Sequence, residues 1–327
     1  MFRTIRPFFI ALGCTWAALL LAAIIYSRQH AYSHWVMTAA LPAFLVEAFF
    51  YLGTIIEGTR TWFKQIRLVR LKGALLWIST LLPYCVFSIA AGTFERNAFY
   101  LLAMLTGVLA FWYVLLPRRP VYDVGFLVIA AAPIILRVFQ RIYHSPDDTR
   151  VDVLGHLMWI RLGVAALLIL REWHPGAFGF WPCLDEWRAG VLWYFIFVIP
   201  IVILAMGTHD VRFEPLDAPW WRIAALGIGS FFGSLWVVAL GEELFFRGVI
   251  ERALLNRWPP AALAIGVSAL LFGSVHLGFR QFPNWRRALT ATLLGIALGV
   301  VYARTESVRA SMVTHAFVVA TWRVFFR

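Results

Sequence analysis

Two adjacent acids close an apolar run in the last third of the chain: Gly241-Glu242-Glu243-Leu244-Phe245-Phe246-Arg247-Gly248-Val249-Ile250-Glu251. On a helix Glu243 and Arg247 lie one turn apart, acid before base, on a shared face where they can pair. Glu242 is rotated about 100° from its neighbour and is left free of that arginine. One carboxylate is suited to orient a site and the other to exchange protons. For Glu243 and Arg247 alone, the plain alternative is an interfacial ion pair. In the next apolar run Phe272 and His276 are four apart, so the phenylalanine can pack over the imidazole. The last run carries Thr314-His315. Taken singly, a histidine near the end of an apolar helix reads as a hydrogen-bonded packing residue. Taken together, three of the last four apolar segments each present an ionisable group at membrane depth, where such groups are costly and point to function.

A carboxylate and an imidazole that converge in a partly dry pocket can hold a water molecule and deprotonate it, because burial raises the carboxylate's proton affinity. A second imidazole can donate to a developing oxyanion. That set suffices to hydrolyse a peptide bond without a covalent intermediate. Glu plus two His is equally a zinc ligand set, although no His-Glu-x-x-His helix is present. The helical spacing predicts that Glu242 points toward His276 across adjacent helices.

The elements that must position these residues are membrane helices. The chain has 327 residues, 61% hydrophobic and only 14% charged, with a mean hydropathy of +0.77, and this excludes an ordinary soluble domain. A hydrocarbon core about 30 Å thick needs roughly 20 apolar residues per helix. Eleven such runs are readable: 8–26, 35–56, 73–94, 98–116, 121–139, 153–170, 189–206, 221–241, 260–278, 288–303 and 310–326. Hairpins and re-entrant segments mimic spans, so the expected fold is an all-α polytopic bundle of about 8–11 spans. The runs do not alternate apolar with polar, which excludes a strand barrel. Residues 1–217 are read as N-terminal helices of unassigned role, and 218–327 as the core that carries the chemistry. Pro117 and Pro120, Ser145-Pro146-Asp147-Asp148, Pro175-Gly176, Pro215 to Pro219, and Pro259-Pro260 mark short loops. The first run follows Arg3 and Arg6 and is long, with further runs directly behind it, so it reads as a retained helix.

Lysine and arginine outnumber aspartate and glutamate 29 to 17, a formal charge of +12. The basic residues sit between apolar runs, so they suit membrane-surface anchoring and do not call for a nucleic-acid partner. Arg60, Lys64, Arg67, Arg70 and Lys72 have the spacing of one side of an interfacial helix, and the positive-inside rule puts that loop and the N-terminus in the cytoplasm. Cys14, Cys85 and Cys183 are scattered and suggest neither disulfides nor a zinc knuckle. Glu47 and Arg161 are intramembrane charges that neutralise one another or line a cavity. Gly295-x-x-x-Gly299 suits close helix packing.

The ordered motifs Glu242-Glu243-x-x-x-Arg247, Phe272-x-x-x-His276 and His315 resemble those of the CPBP family, the CAAX prenyl endopeptidases and bacteriocin-processing relatives also called the Abi family. The resemblance covers about residues 221–322. It implies an intramembrane endopeptidase of glutamic type, long described as a metalloprotease, with Glu242 and His276 activating water and His315 at the oxyanion. Arg247 would then organise the acidic pair, with Glu243 a supporting acid and Phe272 a supporting ring. Family members commonly carry Asn or Asp four residues after the third-motif histidine, and this chain has Val319. The resemblance implies no required cofactor, with zinc as the less favoured reading. It implies a membrane-associated peptide or protein substrate, lipidated or bearing a C-terminal sorting tail, and a multi-pass protein of the cell inner membrane. Two other readings stand beside it: a non-catalytic immunity or scaffolding protein with a decayed site, and a transporter using Glu47, Arg161 and Glu242 as a proton or ion path.

Overall fold

The computed structural model describes residues 2–29, 35–144, 150–257, 260–279 and 281–327. Among them the regular structure is helical, with only two isolated bridges, Ala177 with Ser307 and Phe213 with Phe326. The protein is an all-α polytopic bundle. Nine helices among the described residues are long and apolar enough to cross a membrane, within the expected 8–11 spans. The turns expected at Ser145-Pro146-Asp147-Asp148 and at Pro259 lie outside the described residues. The chain divides into two compact units, Met1–Trp173 and His174–Arg327.

The first unit comprises α1 (Phe2–Gln29), α2 (Val36–Ile55), α3 (Glu57–Lys64), α4 (Val69–Ala90), α5 (Arg96–Leu115), α6 (Pro120–Ile135), α7 (Val138–Ile142) and α8 (Asp152–Leu170). The run 121–139 is not one span. It stops at Ile135, and Arg137 takes a left-handed conformation (φ 52°) before the short α7. The basic cluster is likewise not one interfacial helix. The chain is extended at Leu68 (ψ 104°), which leaves Arg60 and Lys64 on α3 while Arg70 and Lys72 open α4. Lys72 is buried, and its ammonium donates to the Lys64 carbonyl at 2.9 Å. At the other end of α8, Arg118 donates to Glu172 at 2.8 Å, and that hydrogen bond holds the exposed Glu172 carboxyl below its usual range.

Helix α2 packs on α1, α4 and α8. Where three of these meet, Arg161 of α8 donates from Nε to Glu47 Oε1 at 2.7 Å and from Nη2 to Oε2 at 3.1 Å. Its remaining donors reach Ser79 of α4, at the hydroxyl (2.8 Å) and the carbonyl (3.1 Å). Glu47 and Arg161 are each 1% exposed, and they neutralise one another as closed, fully bonded partners.

The second unit comprises α9 (Leu184–Gly207), α10 (Trp220–Leu255), α11 (Ala261–Val275) with a 3₁₀ turn at His276–Gly278, α12 (Trp285–Thr305) and α13 (Val308–Phe325). Helix α10 has 36 residues, roughly 54 Å at a rise of about 1.5 Å each, well beyond a hydrocarbon core of about 30 Å. It widens to π-helical turns at Ser234–Val238 and Leu244–Glu251. Helix α13 has the length of a span, but Arg309, Ser311, Thr314, His315, Thr321 and Arg323 dilute its apolar character, and it is not among the nine.

Helix α12 lies along α11, α9 flanks both α12 and α13, and α10 packs on α13. Thr314 donates to the Gly190 carbonyl at 2.9 Å, an approach of α9 to α13 that only glycine allows, since a Cβ there would meet Val313 Cγ1 at 2.6 Å and the Ala310 carbonyl at 2.9 Å. The loop before α9 is tied to the turn between α12 and α13. Tyr302 donates to the Pro175 carbonyl at 2.9 Å, and Ala177 N donates to the Glu306 carbonyl at 3.0 Å. Glu186 Oε1 accepts from Ser307 Oγ at 2.6 Å and from Arg309 Nε at 3.0 Å, while Oε2 accepts from Cys183 N at 2.7 Å.

Candidate active site

The acidic pair sits where α10 passes from an α-helical to a π-helical turn, a distortion that recurs at functional sites. Glu243 and Arg247 are fully buried and paired, with Nε 3.3 Å from Oε2 and Nη1 3.4 Å from Oε1. Four residues remain about one turn in the wider helix, so the spacing still brings them together. Arg247 Nη2 donates to the Gly295 carbonyl of α12 at 3.0 Å, and its guanidinium carbon lies 4.6 Å from the centre of the Phe272 ring. The guanidinium thus joins α10, α11 and α12.

His315 completes this arrangement from α13. Its Nδ1 donates to Glu243 Oε1 at 2.8 Å, and its Nε2 faces Glu242 Oε2 at 3.9 Å. A carboxylate accepts only, so the contact fixes the proton on Nδ1 and leaves Nε2 as the working nitrogen. Glu242 has a side chain 36% exposed, whereas that of Glu243 is wholly enclosed. Adjacent in sequence, the two acids therefore differ in access to solvent and to substrate.

His276 ends α11, half-buried, and its Nδ1 donates to the Phe272 carbonyl at 2.8 Å, which again leaves Nε2 as the nitrogen able to accept. The Phe272 ring is 4.8 Å from the His276 ring and 6.1 Å, edge-on, from the His315 ring. Phe272 is thus wedged against both imidazoles and the guanidinium. No hydrogen bond or ion pair joins Glu242 to His276, and the histidine that Glu242 faces is His315. Helical spacing gave no sign of the contact with His315. That spacing defines faces along one helix but not which neighbour a face meets, and α13, some seventy residues on, turned out to supply it.

Two contributions escaped the sequence reading. Gly295 supplies a carbonyl to Arg247 in addition to packing, and Glu251 lies fully buried on the same helix as the acidic pair. The only advance signal for Glu251 was a third acid, one helical turn after Arg247, inside an apolar run. Among the described residues no three His, Cys, Asp or Glu side chains gather as metal ligands.

Comparison with known proteins supplies one match. Residues 220–321 fit the family model described as Type II CAAX prenyl endopeptidase Rce1-like. No curated protein and no solved structure matches the chain. The matched stretch holds Glu242, Glu243, Arg247, Phe272, His276 and His315, within a multi-pass membrane protein. The similarity to the Rce1-like family of type II CAAX prenyl endopeptidases is confined to residues 220–321.

Proposed function

We propose that the protein is a glutamic-type intramembrane endopeptidase that hydrolyses a peptide bond of a membrane-associated peptide or protein. The observation that carries this reading is the bridging imidazole of His315, held at Nδ1 by the enclosed Glu243 and facing the accessible Glu242 with Nε2. Glu242 and His276 position the water, with Nε2 of His276 accepting one of its hydrogens. Glu242 takes the other as the water oxygen bonds to the scissile carbonyl carbon. Nε2–H of His315 donates to the resulting oxyanion while Glu243 holds the ring at Nδ1. The C–N bond then breaks as Glu242 passes its proton to the leaving nitrogen. Arg247 and Phe272 fix the acids and rings and touch no reacting atom.

Substrates of this reading are lipidated proteins or proteins with a C-terminal sorting tail, and no cofactor takes part. The basic residues around α3 and α4 favour a cytoplasmic N-terminus in a cell inner membrane. A scaffolding protein is the second reading, and the half-buried Val319 on α13, where relatives carry Asn or Asp, is what favours it. Transport draws no support from Glu47 and Arg161, which are closed on each other.

The test is to express wild type and Glu242→Gln in the native membrane and to follow which membrane proteins and prenylated reporter peptides are shortened. The amide keeps the shape but cannot take the water's proton, so cleavage should fall by at least 10²-fold, the lower end of what a general base contributes. Equal processing by both, or none by either, replaces the peptidase with the scaffold.

A further inference from the structure

Glu251 is 0% exposed, and neither carboxylate oxygen has a hydrogen-bonding protein partner. Its carboxyl group lies where Gly299 has no side chain. A Cβ on that glycine would sit 2.7 Å from Glu251 Oε2 and 2.9 Å from Ile265 Cγ2. The Gly295-x-x-x-Gly299 stripe therefore does two things for α10: its first glycine accepts from Arg247, and its second leaves room for Glu251.

The groups around Glu251 define a charge problem. On its own helix the nearest charges are Arg247 and Glu243, with Arg252 directed away to the Tyr302 hydroxyl at 3.3 Å. Helix α11 brings Ser268 close enough to act on the Glu251 carboxyl, although its hydroxyl donates to the Phe246 carbonyl at 3.2 Å. Helix α12 offers Tyr302, whose own proton goes to Pro175, with Glu306 beyond it at the helix end. Helix α13 adds His315 through Glu243. Buried groups thus comprise one permanent cation, Arg247, one carboxylate held by two donors, Glu243, and two groups able to change charge, Glu251 and His315. With Glu251 ionised and His315 neutral, the cluster carries an uncompensated negative charge, which a dry interior disfavours. With a proton on either of the two, it is neutral.

We propose that Glu251 is a positioning residue that holds the countercharge for His315: the cluster Glu243, Arg247, Glu251 and His315 shares one exchangeable proton, residing on the Glu251 carboxyl while His315 is neutral and on the imidazole when His315 must donate to an oxyanion. The two groups are linked through charge, and the proton is exchanged with the surroundings without a direct transfer between them. The charge balance stands by itself, and its effect on turnover rests on the peptidase reading.

The experiment combines infrared spectroscopy of the purified full chain in lipid nanodiscs with the pH dependence of reporter-peptide cleavage, for wild type, Glu251→Gln and Glu251→Met. Wild type should show a protonated carboxylic-acid carbonyl band at neutral pH that both variants lose and Glu242→Gln retains. Glu251→Met fills the site with an apolar side chain and supplies the comparison should the amide fail to fold. Losing the countercharge disfavours the imidazolium, so the alkaline limb of activity should move to lower pH. An absent band, or a band that survives in both variants, overturns the shared proton. A band lost on cue with an unmoved pH profile overturns the positioning role. If wild type cleaves nothing, the peptidase reading is what fails, and the infrared titration alone decides the charge balance.

Discussion

Replacing Arg161 by methionine removes four hydrogen bonds, two to Glu47 and two to Ser79, and strands a carboxylate that is 1% exposed. Breaking one side of a buried ion pair costs about 3–5 kcal/mol. Partners found by the unfolded chain within the bilayer pull the figure towards the lower end. Against a total stability of about 5–15 kcal/mol, this is a large fraction, and the folded-to-unfolded ratio should fall by about two to four powers of ten. The double variant Glu47→Leu/Arg161→Met removes both charges and should recover most of the loss. Thermal unfolding in detergent micelles across wild type, the two single variants and the double variant closes a double-mutant cycle, with an expected coupling of at least about 2 kcal/mol. A coupling near zero would refute the reasoning. It would mean that each charge is solvated without the other, as in a hydrated path, and the transport reading would regain its footing.

Two further outcomes are expected. Gly190→Ala places a methyl group against the Ala310 carbonyl and Val313, which should cost about 1–3 kcal/mol by overpacking and lower cleavage by displacing Thr314 and His315, as read by thermal unfolding and reporter-peptide assay. Val319→Asn should leave cleavage equal or raise it, by no more than the about 3–4 kcal/mol that one oxyanion donor contributes, and a clear fall in rate measured on the same peptide would count against His315 acting at the oxyanion.

What the sequence disclosed was whatever local spacing controls. Glu243 and Arg247 pair because four residues amount to about one turn in either helix type, and Phe272 meets His276 for the same reason. The apolar runs were legible because membrane helices are written in composition. The limits are equally physical. His315 meets Glu243 across 72 positions, and no helical period encodes which faces meet. Helix α13 reads as apolar only until its arginines and hydroxyl groups are counted, and the run 121–139 hides the left-handed Arg137 because an arginine carries no turn signal. The burial of Glu251 has no local sequence signal, and it is Gly299, far along the chain, that shows where its carboxyl group lies.

The ties between the loop before α9 and the turn before α13 bear on how such a unit can be inherited or transplanted. Glu186, Pro175, Ala177 and Gly190 all precede residue 220, yet they anchor Ser307, Arg309, Tyr302 and Thr314, the neighbours that hold His315 in register. Cut out at the edges of the family match, the segment would lose those anchors and leave α13 without its seat. The portable module of this protein therefore begins near His174, and a chimera that swaps α10 to α13 into another membrane scaffold must bring α9 and the loop before it, or evolve a new clasp for the last helix.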